Sequence, residues 1–141
     1  LREEFVKLIA ACFDTEIKPC EHSFSDVASE SWYEPYVAFA YENGIVKGLP
    51  DGSFGVGTTV TRQDAAVMIY RCAESLNAGI SPGRGQSEFS DVSEISSYAL
   101  EAAEYLYKCG ILNGTDGGRF APKDTLTRAE AAKLLYETVR R

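Results

Sequence analysis

The segment Phe24-Ser25-Asp26-Val27 returns as Phe89-Ser90-Asp91-Val92, and the residues behind each copy return with it, so the chain is built on an internal repeat. Gly44-Ile45-Val46-Lys47-Gly48 answers to Gly110-Ile111-Leu112-Asn113-Gly114, and Gly52-Ser53-Phe54 to Gly118-Arg119-Phe120. Thr61-Arg62-Gln63-Asp64-Ala65-Ala66 answers to Thr127-Arg128-Ala129-Glu130-Ala131-Ala132. The offset is 65 residues at the start and 66 afterwards, which places one extra residue between Asp91 and Gly110. Leu1-Arg2-Glu3-Glu4-Phe5-Val6 is a third copy of the last segment, so the sequence opens inside a unit. Similarity at a fixed period means units that bury their apolar faces against one another rather than separately. The expected division is the end of a first unit with a linker at 1–23, a full second unit at 24–75, a Gly/Pro-rich linker at 76–88 and a full third unit at 89–141.

Within a unit the pattern predicts helix, turn, helix. Trp32, Tyr33, Tyr36, Val37, Ala40 and Tyr41 fall at the spacing of an amphipathic helix, expected at about 29–43 and ended by Asn43-Gly44, where Gly suits the left-handed C′ position. Tyr98, Ala102, Tyr105 and Leu106 mark its counterpart at about 95–109. A Gly-containing turn follows, and its Phe54 is expected to plug the core. Thr61 with Asp64, and Thr127 with Glu130, have the spacing of capping boxes, so second helices are expected at about 62–75 and 128–139. Their apolar stripes run through Ala65, Ala66, Met68, Ile69 and Cys72, and through Ala131, Ala132, Leu134, Leu135 and Val139; the truncated copy offers Phe5, Val6, Leu8, Ile9, Cys12 and Phe13.

Composition excludes several classes. With 45% apolar and 25% charged residues the chain is globular, and no apolar run nears the roughly 18 residues of a membrane span, so no membrane insertion is expected. A net charge of -7 argues against nucleic acid, which wants a basic face. The absence of an initiator Met and of a signal peptide, with the start inside a unit, leads us to expect part of a longer polypeptide. His22 has no companion at ligand spacing, and Asp51-Gly52-Ser53 lacks the alternating acids of a calcium loop, so neither metal nor cofactor is expected. No nucleophile stands with a base, so no catalysis is expected. The four cysteines are not expected to form a disulfide framework, because Cys12 and Cys72 lie on apolar stripes.

One residue disobeys its local field three times. Arg2, Arg62 and Arg128 each occupy the first helical position, where the helix dipole disfavours a cation. An anionic ligand, met by guanidinium and backbone amides together, would supply a reason; pairing with an acid of a neighbouring unit, or extension into water, would also account for it. On the dipole argument alone, replacing such an Arg by Ala is expected to leave folding almost untouched.

Phe-Ser-Asp-Val, an aromatic helix ending in Gly-Ile, the Asp-Gly-Ser-Phe turn and the Thr-Arg-x-acid helix start, in that order and twice, resemble the S-layer homology domain over essentially the whole chain. The resemblance implies a mainly α module of tandem repeats arranged as a pseudo-threefold, three-pronged spindle with grooves between repeats. It implies an extracellular place at the bacterial cell wall, and non-covalent binding of secondary cell-wall polysaccharide through an anionic pyruvate ketal on N-acetylmannosamine. The family's Thr-Arg-Ala-Glu motif falls on Thr61-Arg62-Gln63-Asp64 and Thr127-Arg128-Ala129-Glu130, which makes Arg62 and Arg128 the implied glycan contacts. Arg2 follows less closely, since Leu1 replaces the capping Thr. Val56 stands where the third unit has Pro122, and no Trp of the third unit answers to Trp32, so the grooves are expected to differ.

Other candidate contacts keep two readings. Trp32 either stacks on a pyranose ring or is a half-buried helix aromatic. Asp26 and Asp91 either bind sugar hydroxyls or cap the turn before the first helix. Gly48, Gly114 and Asp51 either admit a sugar to the backbone beside the groove or are ordinary turn residues. For the whole module, an anchor on the polysaccharide competes with a protein–protein contact that assembles a surface layer by self-association.

Overall fold

The computed structural model describes residues 1–14, 16–19 and 21–140, with Asp116 described by its backbone alone. Among them are five α-helices and no strand: α1 (Arg2–Cys12), α2 (Glu34–Glu42), α3 (Arg62–Ser75), α4 (Leu100–Lys108) and α5 (Arg128–Val139). The fold is mainly helical, as the repeat pattern predicts. α3 and α5 span the expected residues because their start is set by a local device, a Thr hydroxyl accepting the amide three residues on, from Asp64 at 3.2 Å and Glu130 at 3.2 Å. The box is reciprocal only in α5, where Glu130 returns to the Thr127 amide at 2.9 Å; Asp64 instead accepts the Tyr98 hydroxyl at 2.7 Å.

The first helix of each unit starts about five residues later than its pattern suggests. Glu30 is left-handed at φ 63°, Ser31 and Glu34 donate backward into turns, and Pro35 belongs in a first helical turn because it has no amide to donate. In the third unit Ile95 is extended and a 3₁₀ turn at Ser97–Ala99 precedes α4. Both helices end as expected. Gly44 (φ 68°) and Gly110 (φ 72°) close Schellman motifs, with Ile45 and Ile111 donating to Ala40 and Leu106 at 2.8 and 2.9 Å.

Packing runs across units. α1 lies on α2 and α3 on α4, while α1, α3 and α5 each touch the other two. The common core holds Phe5, Ile9, Ile69, Leu106 and the two turn aromatics, with Phe54 and Phe120 fully buried as anticipated. Not all of the stripes are covered: Leu8, Ala132 and Val139 are exposed, and with Tyr136 they border an open groove between α1 and α5. The segment between units is tied down, with Ile80 buried and the amides of Gly83 and Arg84 both donating to the Lys108 carbonyl.

Cys12, Cys72 and Cys109 carry reduced thiols, whereas Cys20 lies outside the described residues. Burial pushes the Cys72 thiol up to about 12, which makes it inert as a nucleophile. Thiol titration of the unfolded, unreduced protein is therefore expected to count at least these three; finding none would contradict the arrangement.

Candidate functional site

The three N1 arginines meet three different environments. Arg62 is buried: its Nε donates to the Phe120 carbonyl at 2.7 Å, its guanidinium lies over the Phe120 ring at 5.8 Å, and Nη1 donates to Glu130 at 2.6 Å. Arg2 repeats the arrangement one unit earlier, donating to the Phe54 carbonyl at 3.0 Å, lying 5.2 Å over the Phe54 ring and facing Asp64 at 3.9 Å. In both cases the acid is the N3 residue of the next unit's second helix. Arg128 faces the corresponding acid of the first unit, Glu4, at 3.4 Å, but its side chain is 94% exposed. Amides at these helix starts are taken as well, since Arg62 N and Gln63 N donate to the Asp124 and Pro122 carbonyls and Arg2 N to the Thr58 carbonyl.

The acids repeated in the first motif, Asp26 and Asp91, hold turns rather than helix starts. Asp26 accepts from the amides of Phe54, Gly55 and Val56 at 2.7, 2.8 and 2.7 Å, and Asp91 from Phe120 and Ala121, each at 2.8 Å. Neither caps the helix beside it. Burial pushes both carboxyls up, but the amide hydrogen bonds outweigh it and leave both below the ordinary Asp range. Asp51 accepts from the Ser53 amide and hydroxyl at 3.0 and 2.6 Å, which closes its turn. Gly48 is left-handed at φ 82°, and a Cβ there would stand 2.4 Å from the Phe24 ring. Gly114 sits 3.3 Å, by the same measure, from the backbone of Gly118. These residues shape the unit from within.

What remains open lies between α1 and α5. A groove of about 920 Å³ is lined on its floor by Phe5, Leu8, Val60 and Leu135, with Arg128 and Trp32 both on its walls. Trp32 is 52% exposed and carries the Lys7 ammonium 5.3 Å above its ring. The equivalent position in the third unit is filled by Tyr98, whose hydroxyl holds Asp64 and also takes a hydrogen bond from Gln63 at 2.9 Å. Burial, then the Asp64 carboxylate, push that phenol up to about 12, so it remains a donor at neutral pH. Lys7 attracted no notice in the sequence; its spacing of three and five residues from Glu4 and Arg2 on α1 was the only available signal. Among the described residues no group of His, Cys, Asp and Glu could hold a metal ion, and no helix is long and apolar enough to cross a membrane.

The S-layer homology domain profile matches residues 23–66 and 88–132, more than half of the chain. The chain belongs to the S-layer homology domain family. Each matched stretch runs from Phe-Ser-Asp-Val through the turn held by its Asp and into the helix headed by its Arg, so an S-layer homology repeat contains both partners of the Asp-to-turn contact. The Arg-to-Phe seams, by contrast, join one repeat to the next. Among relatives, the chain is 34% identical to an amylopullulanase of Thermoanaerobacterium thermosulfurigenes over 96% of its length and 7% of the relative's. It is 30% identical to an S-layer protein of Bacillus thuringiensis subsp. finitimus over 97% of its length and 16% of the relative's. It is 24% identical to a cellulosome-anchoring protein of Acetivibrio thermocellus over 97% and 30%. The chain thus spans a minor part of the proteins it resembles. S-layer homology membership makes it a cell-surface anchoring module, associated with the wall.

The seams separate the arginines by stability. Arg62→Ala removes the donor to the Phe120 carbonyl and to Glu130 Oε1 and is expected to cost about 3 kcal/mol in urea unfolding, against the dipole argument, which ignored this burial. Arg128→Ala is expected to leave the unfolding midpoint unchanged. Asp91→Ala strands two buried amides and is expected to cost about 2–4 kcal/mol. Because the folded pKa values of Asp26 and Asp91 are depressed, their contribution is complete above the unfolded Asp value of about 3.9 and is lost as pH falls through the folded values. Unfolding curves measured from neutral to strongly acidic pH should show that loss, and it should shrink in Asp91→Asn.

Proposed function

We propose that this module holds its parent polypeptide on the bacterial wall, without catalysis, by binding an acidic secondary cell-wall polysaccharide in the groove between α1 and α5. The observation that carries the reading is that an exposed guanidinium, Arg128, and an exposed aromatic face, Trp32, line one groove. A carboxylate takes charge-assisted hydrogen bonds from the guanidinium, and the apolar C–H face of a pyranose suits an indole ring. A pyruvate ketal on N-acetylmannosamine supplies both groups on one sugar. Arg2 and Arg62, with their guanidinium groups engaged in the seams, act by setting the spacing of the units; Asp26, Asp91, Asp51, Gly48 and Gly114 act by holding the turns that shape the groove. The parent polypeptide's own activity lies outside this module.

A second reading has its own support. Leu8, Tyr136 and Val139 leave apolar surface in the same groove, which suits a contact with another protein subunit of a surface layer. Pull-down with purified wall sacculi separates the two: the anchor requires that binding vanish when the secondary polysaccharide is removed, and the subunit contact requires that it persist. On the anchor reading, Arg128→Ala is expected to weaken binding of an acidic wall fragment roughly ten- to a hundredfold. Unchanged affinity would remove Arg128 from the site.

A further inference from the structure

The Arg2 and Arg128 seams, each beside an aromatic that stands just before a first helix (Tyr98 and Trp32), are built to the same plan, yet their polar groups are engaged differently. At the Arg2 seam, Asp64 accepts the Tyr98 hydroxyl at 2.7 Å and faces Arg2 at 3.9 Å. Gln63 bridges to Ser96 and Tyr98, and Lys123 donates to the Ser96 hydroxyl at 2.5 Å, so each polar group on this wall already has a partner in the protein. The residue equivalent to Lys7 there is Val67, which is buried. At the Arg128 seam Trp32 offers no hydroxyl to the acid, Glu4 faces Arg128 at 3.4 Å, and Lys7 stands one helical turn along α1 from Glu4. The Lys7 ammonium lies 5.3 Å from the Trp32 ring centre and 5.5 Å from that of Tyr36, and no carboxylate pairs with it among the described residues. Glu4 is shared between Arg128 at 3.4 Å and the Leu1 terminal ammonium at 2.7 Å, so the unpaired Lys7 leaves this groove with a local positive excess in a chain of net charge -7.

We infer that Lys7 is the second cation of the ligand site and sets its preference for acidic sugars, and that this groove takes one such sugar per chain because the polar groups of the Arg2 seam, Lys123 included, are already engaged within the protein. The inference rests on the anchor reading above. Two cations that line one groove from α1 and α5, beside an aromatic wall, discriminate an acidic sugar from a neutral one by charge and from free phosphate by the ring contact. Groups fixed on two packed helices do this with little ordering on binding.

Calorimetric titration of the whole chain with a wall disaccharide bearing a pyruvate ketal, its ketal-free counterpart and inorganic phosphate tests this. Wild type is expected to bind one ketal disaccharide per chain. Lys7→Gln, which removes the charge and keeps most of the length of the side chain, should weaken that binding tenfold or more, leave any ketal-free binding unchanged and flatten the salt dependence; Lys7→Arg should restore most of it. A structural role for Lys7 would instead weaken both disaccharides together. A stoichiometry of two, a Lys7→Gln variant equal to wild type, or displacement by phosphate at the same concentration as the ketal disaccharide would overturn the inference. Equal binding of the two disaccharides by wild type would bring down the anchor reading with it, whereas indifference to Lys7 alone would leave that reading standing.

Discussion

The arrangement depends on a guanidinium handed from one repeat to the next. Arg2 and Arg62 enter their neighbours beneath a Phe ring, give Nε to that Phe's carbonyl and face the acid at the third position of the next helix. Taking a cation out of water costs several kcal/mol, and in Arg2 burial is the leading influence, lowering its pKa against the pull of Asp64. The cost is met because carbonyl, ring and carboxylate converge on one planar fork, which a Lys could not match. The helix dipole, a few tenths of a kcal/mol, is the smaller effect, and so the Arg sits where the dipole alone would forbid it.

Each repeat must also present that Phe carbonyl at the right height, and this is the work of the first motif. Asp26 reaches 28 to 30 residues along the chain to take three turn amides, and Asp91 takes two. Without them the turn would leave amides unsatisfied beside a buried ring. Phe-Ser-Asp-Val and the Phe-bearing turn therefore repeat together for one reason: the Asp positions the Phe, and the Phe receives the Arg of the preceding unit.

How legible this was depended on distance along the chain. α3 and α5 could be placed to the residue because a Thr and the amide three positions on decide where they start. The starts of α2 and α4 could not, since Trp32 and Tyr33 continue the helical spacing through a turn that Glu30 and Pro35 impose. Three arginines opposing the dipole announced that something buried them or bound them, but the partners lie 52 and 58 residues away and spacing does not reveal which. The partners of Asp26 and Asp91 lie 28 to 30 residues away, so spacing does not reveal them either. The meeting of Lys7, Trp32 and Arg128 joins the first helix, the second unit and the last helix, and no single segment contains it.

The inequality of the seams follows from one aromatic. Tyr98 and Trp32 stand at the same place before their helices, but a phenol can give its proton to the acid below it, and does so to Asp64. An indole presents a broad face and a single N–H, so the corresponding acid, Glu4, meets Arg128 and the Leu1 terminal ammonium instead, and Lys7 stands 5.3 Å from the ring. The phenol closes a seam with hydrogen bonds, whereas the indole keeps one open with a charged rim and an apolar wall. Repeats that share a backbone plan can in this way divide the work: the Arg2 and Arg62 seams hold the units together, and the Arg128 groove retains the exposed charge and ring surface that recognition requires.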